Sequence, residues 1–266
     1  MASSILPPEG ETLATGWEPD LDPADSLVRR AVLAHASWAV DAPRRAGKPW
    51  YDGDTWAGGI LGDRGPLTNW VVPKQPVDPA DVIADAAREL PNNVPYLFVS
   101  AWPTRDLREH GLALAGHPPL MVRLPVSTTT PPVTDLEIRQ VTDAAGLADA
   151  ERVLVEGYPL PELQPFQAGA VYSTSFLEGS TVWVGYDGDV PLATSTGHHA
   201  AGLTIVENVA VMPAARGRGA GAAVTWAATT HHPDEPAALI ASDDGQPVYQ
   251  RLDYLRLERW TVWVRP

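Results

Sequence analysis

The run Val211–Gly221, VMPAARGRGAG, places glycines at 217, 219 and 221 between two arginines, after a strand-like stretch and before a helical one. That order of residue types builds an anion site. Amides at the start of a helix lack internal acceptors and carry the positive end of its dipole. Glycine lets the backbone approach a phosphate and adopt positive φ, and Arg216 and Arg218 add charged donors. The segment GRGAGA also fits G-x-G-x-x-A, with Asp243 and Asp244 at about the distance of a ribose-binding acid in a dinucleotide site. Too few residues follow Asp244 to finish such a fold, and hairpins stand upstream where it needs parallel crossovers. A P-loop is excluded, because no Gly-Lys-Ser/Thr follows.

Two histidine pairs, His198-His199 and His231-His232, raise the question of a metal. Adjacent side chains point apart and no thiol or carboxylate lies at ligand spacing, so no metal is expected. The 266 residues contain no cysteine, which removes disulfides, thiolate metal sites and a cysteine nucleophile. A formal charge of −14 with no basic patch opposes nucleic-acid binding. The acidic surface serves solubility or attracts cationic small molecules and basic peptides. No run reaches the roughly 18 apolar residues of a membrane span, and the first residues lack a secretory pattern, so a cytoplasmic protein is expected.

The elements around the loop follow from periodicity. Leu136–Val141 alternates as a strand, and Asp143–Glu156 is helical. A Pro-rich turn and a short irregular helix over Phe166–Leu177 come next. Residues 180–199 read as a hairpin turning at Asp187-Gly188-Asp189, and 202–212 as a further strand. After the loop come a helix, the buried strand Ala237–Ser242, the helix Gln246–Leu252 and a closing strand to Pro266. This order specifies an α/β (α+β) domain with a mixed sheet flanked by helices. The first half repeats the order weakly: a helix at 26–40, a hairpin at 55–73, a helix at 78–90, a strand at 95–102, a helix over Thr104–Leu112 and a closing strand. Pro73 to Pro125 and Pro213 to Pro266 span 52 and 53 residues, an internal repeat of two similar halves. The Thr/Pro-rich stretch Pro125–Asp135 divides them. The expected organisation is an arm over 1–22, one domain over 23–130 and a second over 134–266.

The loop resembles the pyrophosphate loop of the GNAT superfamily of acetyl-CoA-dependent N-acetyltransferases, V-x-P-x-x-R-G-x-G-x-G/A. Val211, Pro213, Arg216, Gly217, Gly219 and Gly221 fill its fixed places. A late Y-x-x-L-G-F signature appears as Tyr249 to Tyr254, with Asp253 in place of Gly, and Gly there usually serves a left-handed cap. The resemblance covers about Leu136–Pro266. The first half resembles a degenerate copy as in tandem members, because its loop, VVPKQPVDPAD, has no glycine.

The resemblance implies a mostly antiparallel GNAT-like sheet, acetyl-CoA as co-substrate and a primary amine of a small molecule or peptide as acceptor. It also implies direct attack within a ternary complex. The backbone of Val209, Ala210 and Val211 would hold the acetyl and pantetheine arms. Residues 216–222, with Ala220 and Ala222 among them, would bind the diphosphate. Ser242 would contact the coenzyme where many members carry Asn. Tyr249 matches the proton donor to the thiolate, and Glu207, two residues before Val209, stands where a base is common. Tyr158, Phe166, Trp183 and Tyr186 are candidates for the acceptor pocket. A non-catalytic acyl-CoA-binding or sensor protein is the alternative, and monomer and homodimer both stay open.

Overall fold

The computed structural model describes residues 26–125, 129–158 and 160–266; the expected arm over 1–22 lies outside them. The helix α1 (Leu27–Arg45) begins where the Ser26 hydroxyl accepts the Arg29 amide at 3.1 Å. It ends on Arg44 and Arg45, cations beside the carbonyl end of the dipole, which also bond Asp41 at 2.8 and 2.7 Å. Its alanines at 31, 34, 36 and 39 are buried and allow the helix to lie close on the sheets. Strands β1 (Trp50–Asp52), β2 (Trp56–Ile60) and β3 (Asn69–Pro73) form an antiparallel meander. Helix α2 (Pro79–Glu89), capped by Asp78, leads to β4 (Tyr96–Ser100), β5 (Ala113–Gly116) and β6 (Pro119–Arg123).

The second half runs β7 (Glu137–Gln140), α3 (Ala144–Gly157), β8 (Ser180–Asp187), β9 (Val190–Ala200) and β10 (Leu203–Val211). Then follow α4 (Ala220–Thr229), β11 (Ala237–Ile240), α5 (Gln246–Gln250), β12 (Leu255–Arg259) and β13 (Thr261–Arg265). Two expected helices are not formed. Thr104–Leu112 gives only a 3-10 turn at Arg108–His110, stopped by Gly111 at φ 79°. Phe166–Leu177 gives only the 3-10 turn Thr174–Glu178.

The sheets do not follow the sequence boundary at Pro125–Asp135. One has the order β1-β2-β3-β4-β13-β5 and the other β12-β6-β11-β10-β9-β8-β7. Each half has therefore sent its last strand into the sheet of the other. Chain geometry supplies the reason. One residue, Trp260, separates β12 from β13, and a hairpin needs at least two. His117-Pro118 separates β5 from β6, and His117 would have to adopt the positive φ of a primed turn. Neither chain can reverse, so each continues into the neighbouring sheet.

The crossing strands place one core across both halves. It joins α1, β2, β3 and β4 to β6, β10, β11 and Trp260. Trp260 is fully buried at the crossover and donates to Glu258 at 2.8 Å. Burial of a whole tryptophan contributes roughly 4–6 kcal/mol.

Candidate functional site

The glycine loop follows β10 through a 3-10 turn at Pro213–Ala215 and enters α4. Gly217 and Gly219 take φ 80° and 78°, the left-handed region that glycine occupies at little cost. The amides of Arg216, Arg218 and Ala223 bond Pro213, Ala215 and Gly219 carbonyls. Those of Gly217, Gly219, Ala220, Gly221 and Ala222 meet no backbone acceptor among the described residues. A Cβ on Gly217 would meet nothing within 4 Å, so solvent or a ligand reaches the backbone there. One on Gly219 would lie 2.3 Å from the Val133 carbonyl oxygen. The second glycine thus serves the packing of the linker stretch Pro125–Asp135 against the loop.

The two arginines are engaged within the protein. Arg216 Nη2 donates to the Gly157 carbonyl at the end of α3, 3.1 Å away. Arg218 bonds Asp135 at 2.6 Å and Asp187 at 2.8 Å, and these bonds hold its guanidinium well above its usual pKa. Both side chains fasten the loop to its surroundings, and the backbone amides without acceptors are the donors it leaves open.

Beside the loop two strands separate. The parallel β10–β11 ladder has only the pairs Thr204↔Ala237 and Ile205↔Ala238, although β10 runs on to Val211. On its other edge β10 stays paired with β9, broken by a bulge between Glu207 and Ala210. Asn208 takes φ 55° in the bulge and its side-chain Nδ2 donates to the Tyr172 hydroxyl at 2.6 Å. Over Val206–Val211 the β10 edge that faces β11 has no paired strand among the described residues.

The gap opens into a cavity of about 490 Å³. The second half supplies Glu207, Val209, Ser242 and Tyr249, and the first half supplies Trp70, Leu97 and Val99. Tyr249 is half-buried, its hydroxyl has no hydrogen-bond partner among the described residues, and burial then Glu207 raise its pKa above the usual phenol value. Ser242 also lines the cavity, and its hydroxyl accepts the Gly245 amide at 3.1 Å. Ala210 points the other way, into the core under α3, and Val211 packs beneath α4. Glu207 is held by a residue that sequence reasoning missed. Its Oε1 lies 3.2 Å from Nε2 of His35 on α1. The only local trace was a histidine on an alanine-rich helix face.

Of the four aromatics considered for an acceptor pocket, Tyr158 lines the cavity. Phe166 lies under Arg152, Tyr186 bonds Asp149, and Trp183 packs near His231. Only one histidine pair splits: on β9 His198 is buried against Ser37, while His199 turns the other way to meet Glu235 at 3.3 Å and the His232 ring at 4.3 Å. The adjacent His231 and His232 rings do not point apart and meet edge-on at 5.0 Å. Among the described residues no group of three or more His, Asp or Glu is placed to hold a metal ion. No helix among them is long and apolar enough to cross a membrane.

In the first half, the parallel β3–β4 ladder is equally short, with Trp70↔Leu97 and Val71↔Phe98. The charged side chains of the loop after β3 are tied to neighbouring segments. Lys74 bonds Asp52 at 2.9 Å, and Asp78 caps α2 and pairs with Arg105 at 3.2 Å.

No protein-family model matches the sequence. No curated protein matches it either. Solved structures do. A GCN5-related N-acetyltransferase from Kribbella flavida superposes with a TM-score of 0.63 at 21% identity, over 91% of this chain and 96% of the other. A GNAT-family acetyltransferase structure from Novosphingobium aromaticivorans DSM 12444, putatively so named, gives 0.58 at 14% identity, over 87% and 95%. A functionally unknown conserved protein from Staphylococcus epidermidis ATCC 12228 gives 0.54 at 16%, over 82% and 93%. The fold is that of the GNAT acyltransferases, in a mixed α/β form with two mostly antiparallel sheets.

Proposed function

We propose that the chain is an acetyl-CoA-dependent N-acetyltransferase that acts on a primary amine within a ternary complex. One observation carries the proposal: the open edge of β10 leads from a cavity holding Glu207 and Tyr249 straight to five loop amides without backbone acceptors among the described residues. Bound acetyl-CoA supplies the acyl group as a thioester. The amides of Gly217 and of 219–222 bind its diphosphate at the positive end of α4. Val209 and Val211 offer backbone partners to the extended arm.

Glu207 takes a proton from the acceptor ammonium, directly or through one water, because only the neutral amine is a nucleophile. Tyr249 donates its proton to the departing sulfur. The burial that raises the phenol also raises a thiolate placed beside it, so the two remain matched for transfer. The acceptor enters against Trp70, Leu97, Val99 and Val262, so its body is apolar around the reacting amine.

The test is to bind acetyl-CoA to the full chain by calorimetry, then follow thiol release with a panel of amines on aromatic or aliphatic bodies. Saturable binding and amine-dependent release are expected. Binding without release by any amine would favour the acyl-CoA sensor.

A further inference from the structure

His35 occupies the seam between the halves and is fully buried. Its Nδ1 lies 2.7 Å from the Ala31 carbonyl oxygen. A carbonyl only accepts, so Nδ1 carries a hydrogen. Its Nε2 faces Oε1 of Glu207 at 3.2 Å. A lone pair on Nε2 opposite a carboxylate would be repelled. One proton must therefore lie between them, as imidazolium beside carboxylate or as imidazole beside carboxylic acid. The Trp70 ring stacks on His35 at 6.1 Å and the Trp260 ring meets it edge-on at 4.9 Å, fixing the imidazole plane. Oε2 of Glu207 makes no hydrogen bond among the described residues, and Glu207 lines the cavity.

We propose that His35 is the positioning residue of the catalytic base: it clamps Oε1 of Glu207 and shares one proton with it, so that Oε2 faces the acceptor amine as the proton-accepting atom. The role rests on the acetyltransferase reading, whereas the shared proton does not. In the step, the ammonium N–H bond breaks, its proton passes to Oε2 and then to solvent, and the amine lone pair becomes available for attack. His35 holds Oε1 and the shared proton in place between turnovers, which leaves Oε2 turned to the cavity. The first half thereby completes the site of the second. Titratable groups near the pair include His198 on β9, Tyr172 before β8 and Tyr249 on α5, and His117, Tyr158, Asp243 and Arg259 line the same cavity as Glu207. Of the other elements packed on α1, β2 and β3 bring none, β1 brings Tyr51 and Asp52, and the 3-10 turn Thr174–Glu178 brings Glu178.

Two measurements test this. Ring-¹⁵N histidine NMR of the full chain without ligand is expected to show His35 protonated at Nδ1. Its Nε2 resonance should shift in Glu207→Gln while that of His198 stays in place. With acetyl-CoA and the best amine of the panel, His35→Leu is expected to lower kcat about 10–100-fold and to move the acidic limb of kcat/KM upward by about one pH unit. The direction follows because a buried carboxylate that loses its proton-sharing partner binds a proton more readily. His35→Gln, which keeps a donor at Oε1, should recover much of the rate, and acetyl-CoA affinity should stay within about twofold in both.

An unmoved His35 resonance in Glu207→Gln, or equal losses in both His35 variants with an unchanged pH profile, overturns the pair while leaving the acetyltransferase in place. Wild-type protein that releases no thiol with any amine overturns the acetyltransferase reading and the catalytic role of the pair with it, and the NMR result alone then decides the shared proton.

Discussion

Tyr249 combines a hydroxyl with no hydrogen-bond partner among the described residues and a raised pKa, so it remains protonated throughout the working range. Tyr249→Phe removes that proton and little else, since the ring keeps its place beside Tyr254 at 6.1 Å. Turnover is expected to fall roughly 10–1000-fold, as for loss of a general acid, with acetyl-CoA affinity unchanged by calorimetry. An unchanged rate would remove Tyr249 from the reaction. His198 gives a second residue-scale expectation, on stability. Burial lowers its pKa; Nδ1 donates to the Gly179 carbonyl at 3.0 Å and Nε2 accepts from Ser37 at 3.0 Å. Below its ordinary value, about 6.5, the unfolded chain binds a proton that the native state resists. Stability from this group therefore falls as the pH drops from there toward the lowered native pKa, by up to about 1.4 kcal/mol per unit. Urea midpoints at pH 7.5 and 5.5 should differ in the wild type and differ less in His198→Gln.

Among the elements, the loop and α4 divide their glycines between two tasks. Gly217 faces open space, and Gly219 faces the Val133 carbonyl. Gly217→Ala should cost about 1 kcal/mol, the price of a Cβ at positive φ. Gly219→Ala should cost clearly more, about 2–4 kcal/mol, because the backbone of the linker must also move. Equal losses in denaturation would refute the division. A bulky anion at 219 would therefore disturb packing first. Gly217→Asp is the cleaner probe of diphosphate binding, and its acetyl-CoA affinity should drop at least about tenfold with the fold retained. At the end of α5, Asp253 adopts φ 63° and accepts from the Thr129 hydroxyl. The left-handed position survives the loss of glycine there, since Asp tolerates that region better than most residues.

At the scale of the whole molecule, the exchange of β6 and β13 makes each sheet depend on both halves. A fragment of residues 129–266 would lack β6, leaving β11 and β12 without their shared neighbour and removing Leu120, Met121 and Val122 from the core. It would also carry β13 with no sheet to enter. We expect the fragment to be insoluble or molten by near-UV circular dichroism and to be recovered by co-expression of residues 1–128. Cooperative unfolding of the fragment alone would contradict this dependence.

What the sequence alone determined was local. The glycine loop, the helix starts at 26, 78 and 143, where the structure shows Ser26, Asp78 and Asp143 as caps, and the turn at Asp187–Asp189 are written by a few adjacent residues, because backbone conformation and helix starts depend on near neighbours. The weak helices at 104–112 and 166–177 were misread because short periodic runs do not outweigh glycine, proline and tertiary packing. The strand exchange, the apolar wall from Trp70, Leu97 and Val99, and the contact of His35 with Glu207 across 172 positions were decided by tertiary structure. They depend on the path of the chain between distant elements, and no spacing within either segment encodes that path.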